Sequence, residues 1–327
     1  MNPPATHQDS IRSRPCPVCL LCGARGEPLY QGLSDRLFGA PGMWNFSRCP
    51  AGDCGLVWLD PMPLEEDLPL AYREYHTHDD PPDSPRGPAH WLYHVFLVLT
   101  GLARERAVLR ELYLGGMTPG RLLEVGCGGG AQLAHLRAFG WEVEGQEIDP
   151  LAARQARARH GLRVHLGPLP SLRLPDAAYD AVVMNHVIEH AADPVPLLTE
   201  CRRLLKPGGV LVAVTPNIAS LGHRVFGSNW RGLDPPRHLH LFSTKTLCRA
   251  AQLAGFDACE SWTTAARAVG SALGSMDIRC AGRHRIQHAT ETSMNRKARA
   301  VLFQLRAKLA HLFQPGSGEE CVLRARK

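Results

Sequence analysis

Three groups of residues in this chain of 327 have the types and the spacing that chemistry requires. The first is Leu122-Leu123-Glu124-Val125-Gly126-Cys127-Gly128-Gly129-Gly130, an apolar run entering a glycine-rich turn and then a helical pattern. Glycines allow the tight turn and let a ligand approach the backbone with no side chain in the way. A second apolar run ends in Gly145-Gln146-Glu147-Ile148-Asp149-Pro150. An acid at that place can accept both hydroxyls of a ribose. Glu147 holds the place, and Asp149 is the near alternative. The second group is histidine. His186 and His190 follow the run Tyr179–Asn185, and His238 and His240 lie in Asp234-Pro235-Pro236-Arg237-His238-Leu239-His240, just after Trp230 and Arg231. Histidine can remove a proton at neutral pH, so His238, His190 and His240 are the candidate bases. The plainer reading keeps some of them structural: His190 as a residue that orients a helix, and one of His238 and His240 pointing into the core. The third group is cysteine. Cys19-Leu-Leu-Cys22-Gly23 is a metal knuckle, and Cys49-Pro-Ala-Gly-Asp-Cys54-Gly55 is a wider second one. Four thiolates on glycine turns suit a closed tetrahedral zinc site, which is structural rather than catalytic. Cys16 offers a rival first ligand.

The glycine turn taken alone also fits a dinucleotide site, because Gly126, Gly128 and Ala131 match G-x-G-x-x-A. Glu124 favours a different ligand. Its carboxylate suits an ammonium group and would repel a pyrophosphate. The motifs downstream decide between the two. Tyr179-Asp180-Ala181-Val182-Val183 is followed by Asn185-His186-Val187-Ile188-Glu189-His190, then Leu205-Lys206-Pro207-Gly208-Gly209, then Thr215-Pro216-Asn217. In that order, Arg121 to Phe256 resembles the UbiE/UbiG-like branch of the class I S-adenosylmethionine-dependent methyltransferases, the type 11/23 group. Its members share E-x-G-x-G-x-G on the first strand, a D-x-V…EH segment and LKPGG. The resemblance implies an α/β fold with a Rossmann-like sheet of seven strands, binding S-adenosylmethionine across its carboxyl edge. It implies cofactor contact at Glu124, Gly126, Gly128, Glu147 and Asn185, with Cys127 and Ile148 lying among them. One departure is that Pro168 follows Gly167 where many relatives carry an acid for the adenine amino group, which shifts that contact toward the backbone. The cysteine segment, with Leu56-Val57-Trp58-Leu59-Asp60-Pro61 after it, resembles the N-terminal zinc ribbon of many bacterial small-molecule methyltransferases.

Methyl transfer from a sulfonium is an in-line displacement in which positioning is most of the task. The chain lacks the Asn/Asp-Pro-Pro-Tyr signature of amino-group methylation and has Thr215-Pro216-Asn217 instead, which favours an oxygen or carbon acceptor. A sugar, quinone or lipid-linked precursor fits that expectation. An rRNA acceptor would use the ribbon and a basic tail, but the ribbon is poor in Lys and Arg and lacks interleaved aromatics for stacking bases. A non-catalytic binding protein is disfavoured by the intact Glu124, Gly126, Gly128 and Glu147. An NAD oxidoreductase lacks any downstream chemistry.

These residues need elements to hold them. The runs RLLEVG, WEVEGQEI, LRVHLG, YDAVVMN, VLVAVTP, DACESW and ECVLRARK read as strands, with helical patterns between most of them, as in a doubly wound parallel sheet. Asp180 reads as structural at a strand start, and Lys206-Pro207-Gly208-Gly209 as a turn. Composition divides the chain into a disordered tail over 1–15, a zinc-ribbon module over 16–60, a linker and helix over 61–115, and a methyltransferase domain over 116–327 with a helical insertion at 266–318. Trp91, Val95, Val98, Leu102, Val108 and Leu112 form one helical stripe that Gly101 could break. Val301, Leu305, Leu309 and Leu312 form another.

The net charge of +6 is uneven, since residues 266–327 hold twelve Lys/Arg against four Asp/Glu. Such a tail can meet an anionic substrate, a membrane surface or nucleic acid, or simply be a solvated face. The expectation is a small-molecule acceptor, anionic by this charge, and no nucleic acid. The helix near 294–313 would be a lid, or would rest peripherally on an anionic membrane. No run is long enough to span a bilayer and no signal peptide is visible. The eleven cysteines suit a reducing compartment, so a cytoplasmic protein is expected. The oligomeric state is not legible.

Overall fold

Caps and turns fix where most elements begin and end. The computed structural model describes residues 10–73, 88–284 and 294–327. In chain order the N-terminal part contains β1 (Ser13–Arg14), β2 (Glu27–Leu33), β3 (Trp44–Arg48), β4 (Val57–Leu59), β5 (Met62–Pro63) and α1 (Leu68–Ala71). Helices α2 (Pro88–Leu99) and α3 (Leu102–Arg110) follow, broken at Gly101 with its φ of 72°. The main domain then runs β6 (Arg121–Val125), α4 (Ala131–Ala138), β7 (Glu142–Glu147), α5 (Pro150–His160), β8 (Arg163–Leu166), β9 (Tyr179–Asn185), α6 (Pro194–Leu204) and β10 (Leu205–Pro216). It continues with α7 (Leu221–Phe226), β11 (His240–Leu241), α8 (Thr244–Leu253), β12 (Ala258–Thr264), α9 (Ala268–Ala281), α10 (Met294–Phe313) and β13 (Glu320–Arg326). The Asp149 and Asp193 carboxylates cap α5 and α6 with proline at the first helical position, and Ser243 with Thr246 forms a capping box on α8.

Seven strands form one sheet in the order β12-β13-β10-β9-β6-β7-β8, with only β13 antiparallel to its neighbours. The expected seven runs are these seven strands. The inner strands are buried on both faces, which is why they read as continuous apolar runs rather than alternating ones. Strand order reverses between β6 and β9, and the crevice at the carboxyl ends of those two strands is where such sheets take ligands. Asp180 accepts the backbone N–H of Arg121 and the ammonium of Lys206, holding the starts of β6 and β9 together.

The N-terminal module shares a strand with the main domain. A second sheet runs β11-β4-β3-β2, so β11, from the segment after β10, forms its edge. Segments that composition assigned to a tail and a linker are ordered in part: β1 pairs with β5, and Arg12 bonds to Glu66 and Asp67. Residues 1–9 and 74–87 of those assignments lie outside the described residues.

Two helical readings shift. On α2 and α3 the expected stripe holds only in part: Leu102 and Leu112 are buried, but Trp91, Val98 and Val108 are exposed, and Leu97 and Leu109 are buried in their place. On α10 the buried face is Ala300, Phe303, Gln304 and Ala307, whereas Leu309 and Leu312 are exposed. Small residues and a glutamine hid that face from an apolar count. Gln304 belongs there because Tyr93 donates to its carbonyl and its amide donates to the Ala266 carbonyl. No described helix is long and apolar enough to cross a membrane.

Candidate functional site

The turn after β6 is built for close approach. Gly126, Gly128 and Gly130 all have positive φ, and a Cβ on Gly126 would lie 2.6 Å from Val187 Cγ2. Gln146, which the sequence reading overlooked, ties this turn to the third strand. Its carbonyl accepts the Gly126 N–H at 3.1 Å and its amide donates to the Gly167 carbonyl at 2.7 Å. Glu147 accepts the N–H groups of Gly128, Ile148 and Asp149 at 2.7–2.9 Å, so its carboxylate is fixed at the strand end. Ile148 is exposed beside it. Cys127 differs from expectation: its backbone lies in the turn, but the thiol packs on Gly145. Burial pushes that thiol up and keeps it protonated.

Glu124 is buried, and its Oε2 has no partner among the described residues. Burial, then the charge of Glu147, pushes its pKa up to about 8. A buried carboxyl in that state keeps its proton at neutral pH until a cation beside it holds it ionised. An ammonium-bearing ligand on the turn would satisfy it, so the residues present fit the cofactor that the motifs imply.

Beside this turn a cavity of about 830 Å³ opens at the carboxyl end of β9. Its walls include Asn185, His186, His190, Trp230, Arg231 and His238. Further walls come from Tyr93 and Arg106 of α2 and α3, from Val269, Gly270 and Ser271 of α9, and from Glu319 and Glu320. Sequence reading placed the first two of those groups in a linker and an insertion, and Glu319 and Glu320 at the start of the last strand. Their one visible signal was an acid pair directly before an apolar strand. The basic helix α10 contributes no residue to the lining and packs against α9.

The histidines separate by their partners. His238 Nδ1 lies 2.8 Å from the Gly232 carbonyl. A carbonyl only accepts, so Nδ1 carries a proton, and Nε2 lies 3.8 Å from Asp234 Oδ2. His190 likewise donates through Nδ1 to the Arg237 carbonyl at 3.0 Å, and its ring packs on that of His238. Burial, and then the charge of His238, lowers His190 to about 4, so it is neutral. His186 is the opposite. It has φ 57°, and its two nitrogens face Glu189 at 3.1 Å and Glu320 at 2.8 Å. Burial alone would lower it, yet those two carboxylates raise it to about 9, so it is a fixed cation at neutral pH. His240 corrects the expectation. It is fully buried on β11, is absent from the cavity wall, and its Nδ1 bonds the Ala191 carbonyl. Pairing β11 with β4 turns its ring into the core, which removes it from the candidate bases.

The loop carrying His238 is anchored from across the molecule. Arg237 is fully buried, and its guanidinium meets Asp234, both oxygens of Asp35 at 2.8 Å and the Ala71 carbonyl at 2.9 Å. Asp35 belongs to the N-terminal module, and its neighbours Leu37 and Phe38 line the cavity. The module therefore forms part of the wall.

The four expected thiols converge. Cys19 and Cys54 sulfurs are 3.6 Å apart, Cys22 and Cys49 sulfurs 3.4 Å, and all four lie within 4.8 Å of one another. Four sulfurs each ~2.3 Å from zinc would be about 3.8 Å apart, so the set fits a closed zinc site. Cys16 stands outside it, with its N–H on Asp60 and its carbonyl accepting the Trp58 indole. A second group, Glu189, His190 and His238, also offers ligand atoms within 4.8 Å, but both Glu189 oxygens are engaged by His186 and Thr215.

Comparison with known proteins now adds to the geometry. A family model described as a methyltransferase domain matches residues 101–261. The ubiquinone biosynthesis O-methyltransferase of Cereibacter sphaeroides is 36% identical over 130 residues, covering 38% of this chain and 53% of that protein. The enzyme of the same name from Xanthomonas oryzae pv. oryzae is 31% identical over 183 residues, covering 53% of this chain and 71% of that protein. The malonyl-(acyl-carrier protein) O-methyltransferase of Serratia marcescens is 34% identical over 146 residues, covering 43% and 56%. The chain spans about half the length of the first of these relatives.

Proposed function

We propose that this chain, which belongs to the class I S-adenosylmethionine-dependent methyltransferases, methylates an oxygen of a small-molecule acceptor seated in the cavity at the end of β9. The cofactor, when bound, supplies an activated methyl group on a sulfonium. Glu124 would accept the ammonium of its amino-acid part, Glu147 the ribose hydroxyls, and the Gly126–Gly130 turn would give the backbone approach. Asn185, with a buried Oδ1 that has no partner among the described residues, lies where cofactor and acceptor would meet. Cys19, Cys22, Cys49 and Cys54 would hold a structural zinc that rigidifies the N-terminal module.

The observation that carries the reading is the state of His238. Its Nδ1–H is pinned by Gly232 in a wall of the cavity, so Nε2 is the nitrogen that would take a proton, 3.8 Å from the Asp234 carboxylate that would steady the cation. A base matters for an oxygen nucleophile, which must shed its proton as the new bond forms. A sulfonium leaving group needs no acid. His190 is held neutral beside it, so a proton arriving on His238 meets no neighbouring imidazolium. The relatives named above as O-methyltransferases support the same acceptor atom.

The test has two arms. Calorimetry should show S-adenosylhomocysteine binding, weakened by Glu124→Gln, and no binding of NADH. Labelled S-adenosylmethionine incubated with fractionated extract should label a small, nuclease-resistant product that releases its methyl group as an ether or ester does. Label in a nuclease-sensitive fraction would replace this reading with an RNA acceptor.

A further inference from the structure

The ion pairs around the cavity leave two guanidiniums without a carboxylate partner among the described residues. His186 and Arg267 are matched by Glu189 and Glu320. Asp234 and Asp35 share the buried Arg237, one cation for two carboxylates. Glu319 accepts from the Gly222 N–H and the Ser271 hydroxyl, and its burial raises it to about 7, so it carries only part of a charge at neutral pH. Two guanidiniums remain. Among the described residues Arg106 donates to neutral groups, the Tyr93 hydroxyl at 2.7 Å and the Ala266 carbonyl at 3.0 Å. The Arg231 guanidinium has no acceptor among the described residues, and the one acid of α9, Asp277, is taken by His284 and Arg296.

Arg231 is also deliberately housed. Its backbone N–H is held by Ser275 Oγ at 3.0 Å. Its stem lies across Gly274 of α9, where a Cβ would collide with Arg231 Cδ. The neighbouring Trp230 is 2% exposed and has an indole N–H with no partner among the described residues. A half-buried arginine given room by a glycine, next to an orphaned buried donor, is a set of donors that lacks its acceptor.

We propose that the acceptor molecule carries an anionic group, a phosphate or a carboxylate, which Arg231 and Arg106 receive in this cavity while His238 faces the hydroxyl to be methylated. The assignment deepens the methyl-transfer reading of the same cavity and rests on it. Guanidinium recognises both anions by paired N–H donors, which gives orientation as well as affinity. Nothing in it depends on the basic helix α10, whose charges lie outside the cavity.

The full chain, loaded with S-adenosylhomocysteine, is titrated with inorganic phosphate, with benzoate and with neutral benzyl alcohol. The expected result is one anion per chain. Arg231→Gln should weaken it tenfold or more, and Arg231→Lys by less. Gly274→Ala should act like Arg231→Gln without removing a charge, and Arg299→Gln on α10 should change nothing. Phosphate binding more tightly than benzoate would point to a phosphorylated acceptor, and the reverse to a carboxylate. The affinity of each variant for S-adenosylhomocysteine, measured in parallel, reports whether the fold is intact. Equal anion affinity in wild type and Arg231→Gln, no anion binding at all, or benzyl alcohol binding as well as the anions would each overturn the proposal. Loss of the methyl-transfer reading would appear separately, as failure of the wild-type chain to bind S-adenosylhomocysteine, while the same titrations on the unloaded chain would still report the anion.

Discussion

His186 and His238 share one cavity wall but cannot do the same job. His186 sits between two carboxylates and holds its proton to about pH 9, while His238 is held by a neutral carbonyl through Nδ1, with Nε2 as the nitrogen left for exchange. Replacing His238 with glutamine should therefore slow methyl transfer by roughly 100- to 10,000-fold, the usual range for a general base, with S-adenosylhomocysteine affinity unchanged. His240→Gln should act on stability instead, and a turnover loss as large as that of His238→Gln in a well-folded His240 variant would undo the assignment. His186 makes a different prediction. Its folded pKa is raised from 6.5 to about 9, so its contribution to stability is complete below about 6.5 and is lost as pH rises through 9. Urea midpoints should fall between pH 7 and 9.5 in wild type and much less in His186→Asn, a residue that tolerates the left-handed backbone. Parallel losses in both proteins would show that the pair with Glu189 and Glu320 contributes nothing. The sequence named these histidines and their neighbourhood. It could not sort them, because protonation depends on partners such as Glu320, which lies 134 residues away.

The helices beyond β12 show where element-scale reading holds and where it fails. A twenty-residue amphipathic helix was legible, and α10 is there. Its packed face was not, because periodicity counts large apolar side chains and the buried face uses alanine, a phenylalanine and a bonded glutamine. The helix that lines the cavity, α9, is rich in Gly, Ala and Ser and gave no stripe at all. Its small residues follow from its position, since Gly274 makes room for Arg231 and Ser271 reaches Glu319. Phe303 of α10 packs on Phe226 and is 6% exposed, so Phe303→Ala should destabilise by ~3–5 kcal/mol. Leu309→Ala and Leu312→Ala on the exposed face should stay within ~0.5 kcal/mol. Chemical denaturation decides this, and a larger loss from Leu312 than from Phe303 would restore the face that periodicity suggested.

At the scale of the molecule, composition suggested a ribbon joined to the enzyme by a linker, and the chain instead interleaves the two. The cause is a pair of long-range contacts that no local pattern encodes: β11 completes the ribbon sheet, and Asp35 closes on Arg237 across 202 residues. Both contacts hold the loop that carries Trp230, Arg231 and His238. They do not touch the Gly126–Gly130 turn, which is fixed by Gln146 and Glu147 within the main sheet. Metal in the cysteine site should therefore act on the acceptor side alone. A zinc-free ribbon loses the fold that metal binding supports. Asp35 would then release Arg237, a buried cation whose lost partner costs about 3–5 kcal/mol, and the loop would come free. Chelation, or Cys22→Ser, should weaken phosphate binding in the cavity at least as much as Arg231→Gln does, while S-adenosylhomocysteine affinity changes less than twofold. Asp35→Asn should give the same split with the metal still bound, one zinc per chain by elemental analysis. If the metal-free protein keeps its phosphate affinity, or loses both ligands together, the ribbon does not position the acceptor loop and its union with the main sheet serves stability only.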